Sequence, residues 1–285
     1  MSAVTNTAQP YMIRVGQADD SRLEALSAMY NPQSLEWCKV NGVAQNASFL
    51  DVGCGNGGFT IPLAEAHPKM FCVGVDISQE QLDVAQGKSK RQGVSNIKWE
   101  RCDVYHLADL RERYPALFDV VHSRFVLTHL SRPIEAIDAM MSMLKPGGLL
   151  LLEEFGTDVQ YQVSHDSSAK ALRAFAKLVG LQAQMQQSHK VNPEVVRNHL
   201  QGRVSELKIK LVNTKVDRAY TKNTFKMGVA QGIAKLAELN KSELIQTFGY
   251  ECGDIWLQDM ERFVTDDTQS VTVENVTFVM ARQPT

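Results

Sequence analysis

The sequence predicts an α/β fold: a mostly parallel sheet with helices on both faces. Three observations predict it. Short apolar runs alternate with helical stretches from Phe49 to Phe155, which is how successive βαβ units read. A glycine cluster, Gly53-Cys-Gly-Asn-Gly-Gly58, directly follows the first run. The chain has 285 residues, of which 44% are hydrophobic, enough to bury a core without disulfides or metals.

The elements follow in order. Asp19 to Val43 reads as helix, with Leu23, Leu26, Ala28, Met29 and Tyr30 on its apolar face. Asn31-Pro32 should break or kink it before a second turn through Trp37, because proline lacks the N–H a helix interior needs. Strands are expected at Ala47–Val52, Met70–Asp76, Ile97–Cys102, Phe118–His122 and Leu149–Glu154. Between them, helices are expected over Gly58–Ala66, Gln79–Gln92 and Pro133–Leu144, the last stopped by Lys145-Pro-Gly-Gly148. Right-handed crossovers then bring the strand carboxyl ends to one edge, where ligands bind in open α/β sheets.

After Phe155 the pattern changes. Ser167–Gln187, Thr224–Phe248 and Asp254–Phe263 read as helices, and Leu207–Val212 and Val271–Met280 as strands. If those strands pair, about fifty residues intervene, so a structured cap is expected there rather than a hairpin loop. Three regions result: an N-terminal helical segment 1–46 covering the ligand, a binding core 47–156, and cap helices with the last two strands over 157–285.

Composition removes several classes. Lys and Arg number 30 against 32 Asp and Glu, a net charge of −2, which disfavours a nucleic-acid partner. No apolar run approaches the roughly 18 residues of a membrane span. Met1–Pro10 has neither the basic flank nor the apolar core of a secretory signal. Five cysteines without a C-x-x-C pair suit reduced thiols, so a cytoplasmic location is expected. No His, Asp or Glu cluster has metal-ligand spacing.

Gly53, Gly55 and Gly58 satisfy G-x-G-x-x-G between a strand and a helix, a pattern that nicotinamide and flavin proteins share. Asp51, two residues before Gly53, would repel a pyrophosphate and help a ligand carrying an ammonium and a sulfonium. Asp76 ends the second strand, where a carboxylate can accept from both ribose hydroxyls. Asp103 follows the third strand and can accept from an adenine amino group or cap a helix. Ile77 or Val104 can pack the ring.

With Leu50-Asp-Val-Gly-Cys-Gly-Asn-Gly, Val75-Asp-Ile-Ser78, Cys102-Asp103, Phe118-Asp119 and Leu144-Lys-Pro-Gly-Gly148 in this order, the chain resembles the class I S-adenosylmethionine-dependent methyltransferases. The resemblance covers Phe49–Phe155. It implies a Rossmann-like seven-stranded sheet whose last strand is antiparallel. It implies S-adenosyl-L-methionine as cofactor, with Gly53, Cys54 and Gly55 against the methionine portion, Asp76 on the ribose, and Cys102, Asp103 and Val104 around adenine. Ser123 and Arg124 would border the methionine end and the substrate. Tyr11, Arg14 and Arg22 resemble the lead-in of small-molecule methyltransferases of the ubiquinone- and secondary-metabolism type, folding over the cofactor.

Methyl transfer from a sulfonium needs alignment and exclusion of water, and a base only where the nucleophile arrives protonated. His129 is the candidate base and Arg124 a second candidate at the reacting end. His122 reads as a satisfied core histidine; His165 and His189 flank the cap. One of Glu153 and Glu154 should face the acceptor and the other the helix layer. The expected partner is a small, partly apolar methyl acceptor, and a homodimer is compatible with this reading. An RNA or protein methyltransferase and a non-catalytic cofactor-binding subunit are the alternatives. Against the nucleic-acid reading, His122-Ser-Arg-Phe125 lacks the Asn/Asp-Pro-Pro-aromatic turn of enzymes that methylate base amino groups.

Overall fold

In the computed structural model, which describes residues 20–155, 162–163, 193–214 and 271–285, every apolar run becomes a strand of one sheet. The strands are β1 (Ser48–Val52), β2 (Phe71–Asp76), β3 (Ile97–Arg101), β4 (Phe118–Arg124), β5 (Leu144–Phe155), β6 (Gln162–Val163), β7 (Glu206–Thr214) and β8 (Val271–Arg282). They lie in the order β3-β2-β1-β4-β5-β8, and β7 and the two-residue β6 both pair with β8. β1 to β5 are parallel, and β8 runs antiparallel to β5 and β7. This is the expected mostly parallel sheet with an antiparallel last strand; β6 is a short addition to it.

Successive residues of the central strands go to opposite faces. Phe49, Cys72, Leu151 and Phe278 join Tyr30, Trp37, Phe59 and Leu63 in one core. Their neighbours Leu50, Val73, Leu150 and Val279 join Ile137, Met140, Val196 and Leu200 in the other. A parallel strand buried on both faces therefore reads as an unbroken apolar run. The first core packs α1 (Asp20–Val40) and α2 (Thr60–Ala66); the second packs α4 (Pro133–Met141) and α5 (Pro193–Leu200). Between these pairs in sequence, α3 (Gln79–Arg91) is capped by the Ser78 hydroxyl, which accepts from the Gln81 N–H.

Two expectations change. Asn31-Pro32 does not end α1, which runs through Pro32 as one helix. Burial of Tyr30, Ser34, Trp37 and Cys38 on one face outweighs the lost backbone bond. Lys145-Pro-Gly-Gly148 does not stop α4, which already ends at Met141. Those residues form an irregular start to β5, where the pairing steps from Phe118↔Leu144 to Val120↔Leu149. α5 was not foreseen, and the expected cap helices 167–187, 224–248 and 254–263 lie outside the described residues. β7 and β8 do pair, as expected.

Gly74 in β2 makes room for the Trp99 ring of β3: a Cβ there would lie 2.5 Å from Trp99 Cζ3. Gly74→Ala is predicted to cost about 1–3 kcal/mol through overpacking, read as a lower urea midpoint with an unchanged slope. A midpoint equal to wild type would contradict this packing.

Candidate active site

The strand order reverses between β1 and β4. From β1 the chain moves outward through β2 and β3; β4 and β5 then lie on the other side. The carboxyl ends of β1 and β4 therefore flank a crevice, the usual ligand position in such sheets. The glycine cluster opens from β1 directly into it.

Hydrogen bonds from β2 fix the loop. The Gly53 and Cys54 N–H groups donate to the Val75 carbonyl (2.8 and 3.0 Å). The Asp76 carboxylate accepts from the Gly55 N–H on one oxygen and the Ser78 N–H on the other, both at 2.9 Å. Burial raises Asp76 above its ordinary range, and the Ser78 and Gly55 bonds oppose that rise. Gly53 has φ +72, and a Cβ there would lie 2.2 Å from Val126 Cγ2. A side chain is thus excluded both by backbone conformation and by the chain after β4.

α1 lies across this loop. A Cβ on Gly58 would meet the Ser27 hydroxyl at 2.1 Å. The Asn31 amide donates to the Gly58 carbonyl (2.8 Å), and the Asn56 amide donates to Asp20 (2.6 Å), which also pairs with Lys88 of α3. The third glycine of the motif is therefore required by helix approach.

Beneath the loop runs a buried polar chain. Asp51 accepts from the Thr60 hydroxyl on one oxygen and meets His122 Nδ1 at 2.8 Å on the other. His122 Nε2 reaches Glu153 at 3.2 Å, and the other Glu153 oxygen accepts from the Ser34 hydroxyl at 2.6 Å. Arg124 donates to Ser34 (3.1 Å) and Asn31 (2.9 Å), with its guanidinium over the Phe59 ring. Phe59 also packs on the His122 ring, centroids 4.5 Å apart. Burial alone would lower the His122 pKa. The Asp51 carboxylate, followed by Glu153, outweighs burial and lifts the imidazole to about 9. His122 is therefore a buried cation between two carboxylates.

This bears on three readings. Asp51 is 3% exposed and bonds His122 and Thr60, so it braces the loop from below. Arg124 is committed to α1 and Phe59. Neither Glu153 nor Glu154 faces outward: Glu153 belongs to the polar chain, and Glu154 accepts from the Val126 and Leu127 N–H groups (3.0 and 2.8 Å).

The other candidates fall as follows. Ile77 is 57% exposed beside Asp76, whereas Val104 is 8% exposed inside the second core; of the two, Ile77 offers apolar surface to a ring. Asp103 caps the 3-10 turn Val104–Glu112 by accepting from the Tyr105 N–H (3.0 Å), and its carboxylate stays half-exposed. The Cys102 sulfur lies 3.3 and 3.5 Å from the carbonyl oxygens of Asp103 and His106, either of which can accept its one S–H. Cys54 is buried against Gly74, so its backbone is the part that borders the crevice. The Ser123 hydroxyl is buried with no hydrogen-bond partner among the described residues. His129 is exposed at the end of the turn Leu127–His129. Tyr11, Arg14, His165, His189 and the side chain of Arg22 lie outside the described residues. A loop with no room for side chains at Gly53 and Gly58, a carboxylate at the β2 end, an exposed isoleucine and a second half-exposed carboxylate fit an adenosine group.

Comparison with known proteins bears on this crevice. The sequence matches the methyltransferase-domain family over residues 44–228. The chain belongs to that family. It is 33% identical over 121 residues to a malonyl-[acyl-carrier protein] O-methyltransferase of Halalkalibacterium halodurans, covering 42% of this chain and 43% of that one. It is 31% identical over 132 residues to a ubiquinone biosynthesis O-methyltransferase of Paraburkholderia phytofirmans, covering 46% and 53%. The chain thus spans about half the length of these relatives. In fold it is similar to a Haemonchus contortus phosphoethanolamine N-methyltransferase solved with phosphomonomethylethanolamine and S-adenosylhomocysteine. That likeness has a TM-score of 0.50 and 18% identity, covering 89% of this chain and 53% of that one.

Within this methyltransferase domain the polar chain Thr60–Asp51–His122–Glu153–Ser34 was not foreseen as a unit. Ser34, Thr60 and Asn31 carried no signal of their own. A raised His122 pKa stabilises the fold below the imidazole's ordinary 6.5, and that stability is lost as pH rises through about 9. The difference corresponds to roughly 3 kcal/mol. An NMR titration of the His122 ring should show a midpoint near 9, with urea stability declining over the same window. A midpoint at or below 6.5 would contradict the buried cation.

Proposed function

We propose that the chain is an S-adenosylmethionine-dependent methyltransferase acting on an O, N or C atom of a small, partly apolar molecule. The observation that carries this reading is the joint placement of Asp76 and the glycine loop. One carboxylate at the β2 end holds the Gly55 backbone and stands beside exposed Ile77 at the crevice. Family membership, the O-methyltransferase relatives and the adenosylhomocysteine-bound fold neighbour support it.

In this reading the backbone of Gly53, Cys54 and Gly55 borders the methionine portion, Asp76 takes the ribose hydroxyls, and Asp103 with Ile77 and Cys102 surrounds adenine. Tyr11 and Arg22, from the segment that includes α1, close over the cofactor. Ser123 and Arg124 shape the floor at the methionine end, with Arg124 acting through α1. The cofactor supplies an electrophilic methyl on a sulfonium. The protein's own contribution is to align the acceptor and keep water out, which orientation alone can make the larger part of the acceleration. Where the acceptor arrives protonated, His129 takes its proton. The helices expected within 157–285 select the acceptor. No described helix is long and apolar enough to cross a membrane; a cytoplasmic site of action is part of this proposal.

Isothermal titration should give heat with S-adenosylmethionine and S-adenosylhomocysteine. Asp76→Ala should weaken both roughly ten- to hundredfold, since a charged hydrogen-bond acceptor is lost. Label transfer from the methyl group should appear in the small-molecule fraction of an extract rather than in its RNA or protein. Absence of heat with either ligand, or unchanged affinity in Asp76→Ala, would overturn the proposal.

A further inference from the structure

We propose that Glu154 is a positioning residue for the cofactor loop: its carboxylate fixes the chain after β4 so that Val126 stays seated on Gly53. The inference rests on the methyltransferase reading of that crevice.

Glu153 and Glu154 directly precede Phe155, the last residue of β5, and point to opposite faces. Glu153 enters the polar chain below α1; Glu154 enters the other face and is 4% exposed. There its Oε1 accepts two backbone donors, the Val126 N–H at 3.0 Å and the Leu127 N–H at 2.8 Å. The segment it holds turns sharply. Phe125 has φ +57, a left-handed conformation that a bulky residue rarely adopts, and its own N–H donates to the Glu153 carbonyl at 2.8 Å. The two residues of β5 thus grip three consecutive N–H groups as the chain leaves β4.

Val126 is the link to the site. Its Cγ2 lies where a Cβ on Gly53 would stand, within 2.2 Å. The path is short: Glu154 carboxylate, Val126 backbone, Val126 side chain, Gly53. Gly53 in turn hangs on the Val75 carbonyl, directly before the Asp76 that braces Gly55. A shift of the segment after β4 therefore moves one wall of the crevice.

The same face holds further buried polar groups. Glu154 Oε2 is buried with no hydrogen-bond partner among the described residues. The same holds for the Ser123 and Thr277 hydroxyls. Register places all three on one face, because Ser123 lies opposite Leu152 and Thr277 opposite Glu154. Unmet buried polar groups are rare in folded proteins.

The test uses the full chain, S-adenosylmethionine and S-adenosylhomocysteine, with affinities measured by calorimetry at a temperature where circular dichroism shows each variant folded. Glu154→Ala should weaken both ligands by about tenfold or more. Glu154→Gln, which keeps one oxygen able to accept both N–H groups, should recover most of that loss. Val126→Ala should weaken binding by itself, and the double variant Glu154→Ala/Val126→Ala should bind no worse than the weaker single, because both act through one contact. If Glu154→Ala does not fold, Glu154→Asp, one methylene too short to reach, takes its place. Wild-type affinity in Glu154→Ala, failure of Glu154→Gln to recover binding, or additive losses would overturn the inference while leaving the methyltransferase reading intact. A wild-type chain that binds neither ligand would overturn both.

Discussion

The buried imidazolium of His122, held between the carboxylates of Asp51 and Glu153, is the interaction on which the site depends. It ties β1, β4 and β5 together on one face of the sheet, at the level where their carboxyl ends open into the crevice. Two buried carboxylates without a cation between them would be strongly destabilising, and an imidazole without them would be neutral. The three groups are therefore interdependent. Desolvation offsets part of the attraction, and the three groups tolerate few alternative arrangements.

From this centre the geometry spreads in two directions. Through Thr60, Asp51 fixes where α2 begins, and so both ends of the glycine loop are set by one side chain and the strand it stands on. Through Ser34, Glu153 reaches α1, which Asn31 and Arg124 also hold. The helix that covers the loop and the strand that emits it thus share a polar anchor. The adjacent Glu154 serves the opposite face of the sheet, so two neighbouring carboxylates at the end of β5 organise the two walls of one crevice. A fold used for many chemistries is adapted here by polar contacts lying one layer below the surface that a ligand would touch.

What the sequence made legible was local. Strands β1 to β5 and the helices between them follow from runs of apolar residues and from turn residues a few positions away. The glycine cluster and Asp76 follow from their place after β1 and at the end of β2. What stayed hidden joins distant residues: Asp51 to His122 across 71 positions, and Ser34 to Glu153 across 119. No spacing rule announces such pairs. A lone acid before the glycines reads equally as a ligand contact or a brace, and only the fold brings His122 against it. Pro32 does not break α1 because tertiary burial of Tyr30 and Ser34 outweighs the local signal. Lys145-Pro-Gly-Gly148 misled because β-pairing with Phe118 draws the sequence into β5. Val104 and Ile77 look alike as apolar neighbours of an acid, and only packing separates the core residue from the exposed one.

The most direct test is a crystal structure of the chain grown with S-adenosylhomocysteine. The account predicts adenosine at the β2 end, its ribose on Asp76 and its ring against Ile77, with the homocysteine over the backbone of Gly53–Gly55 and Asp51 still bound to His122. Density for the ligand elsewhere, or an Asp51 carboxylate turned away from His122 to meet it, would contradict the account.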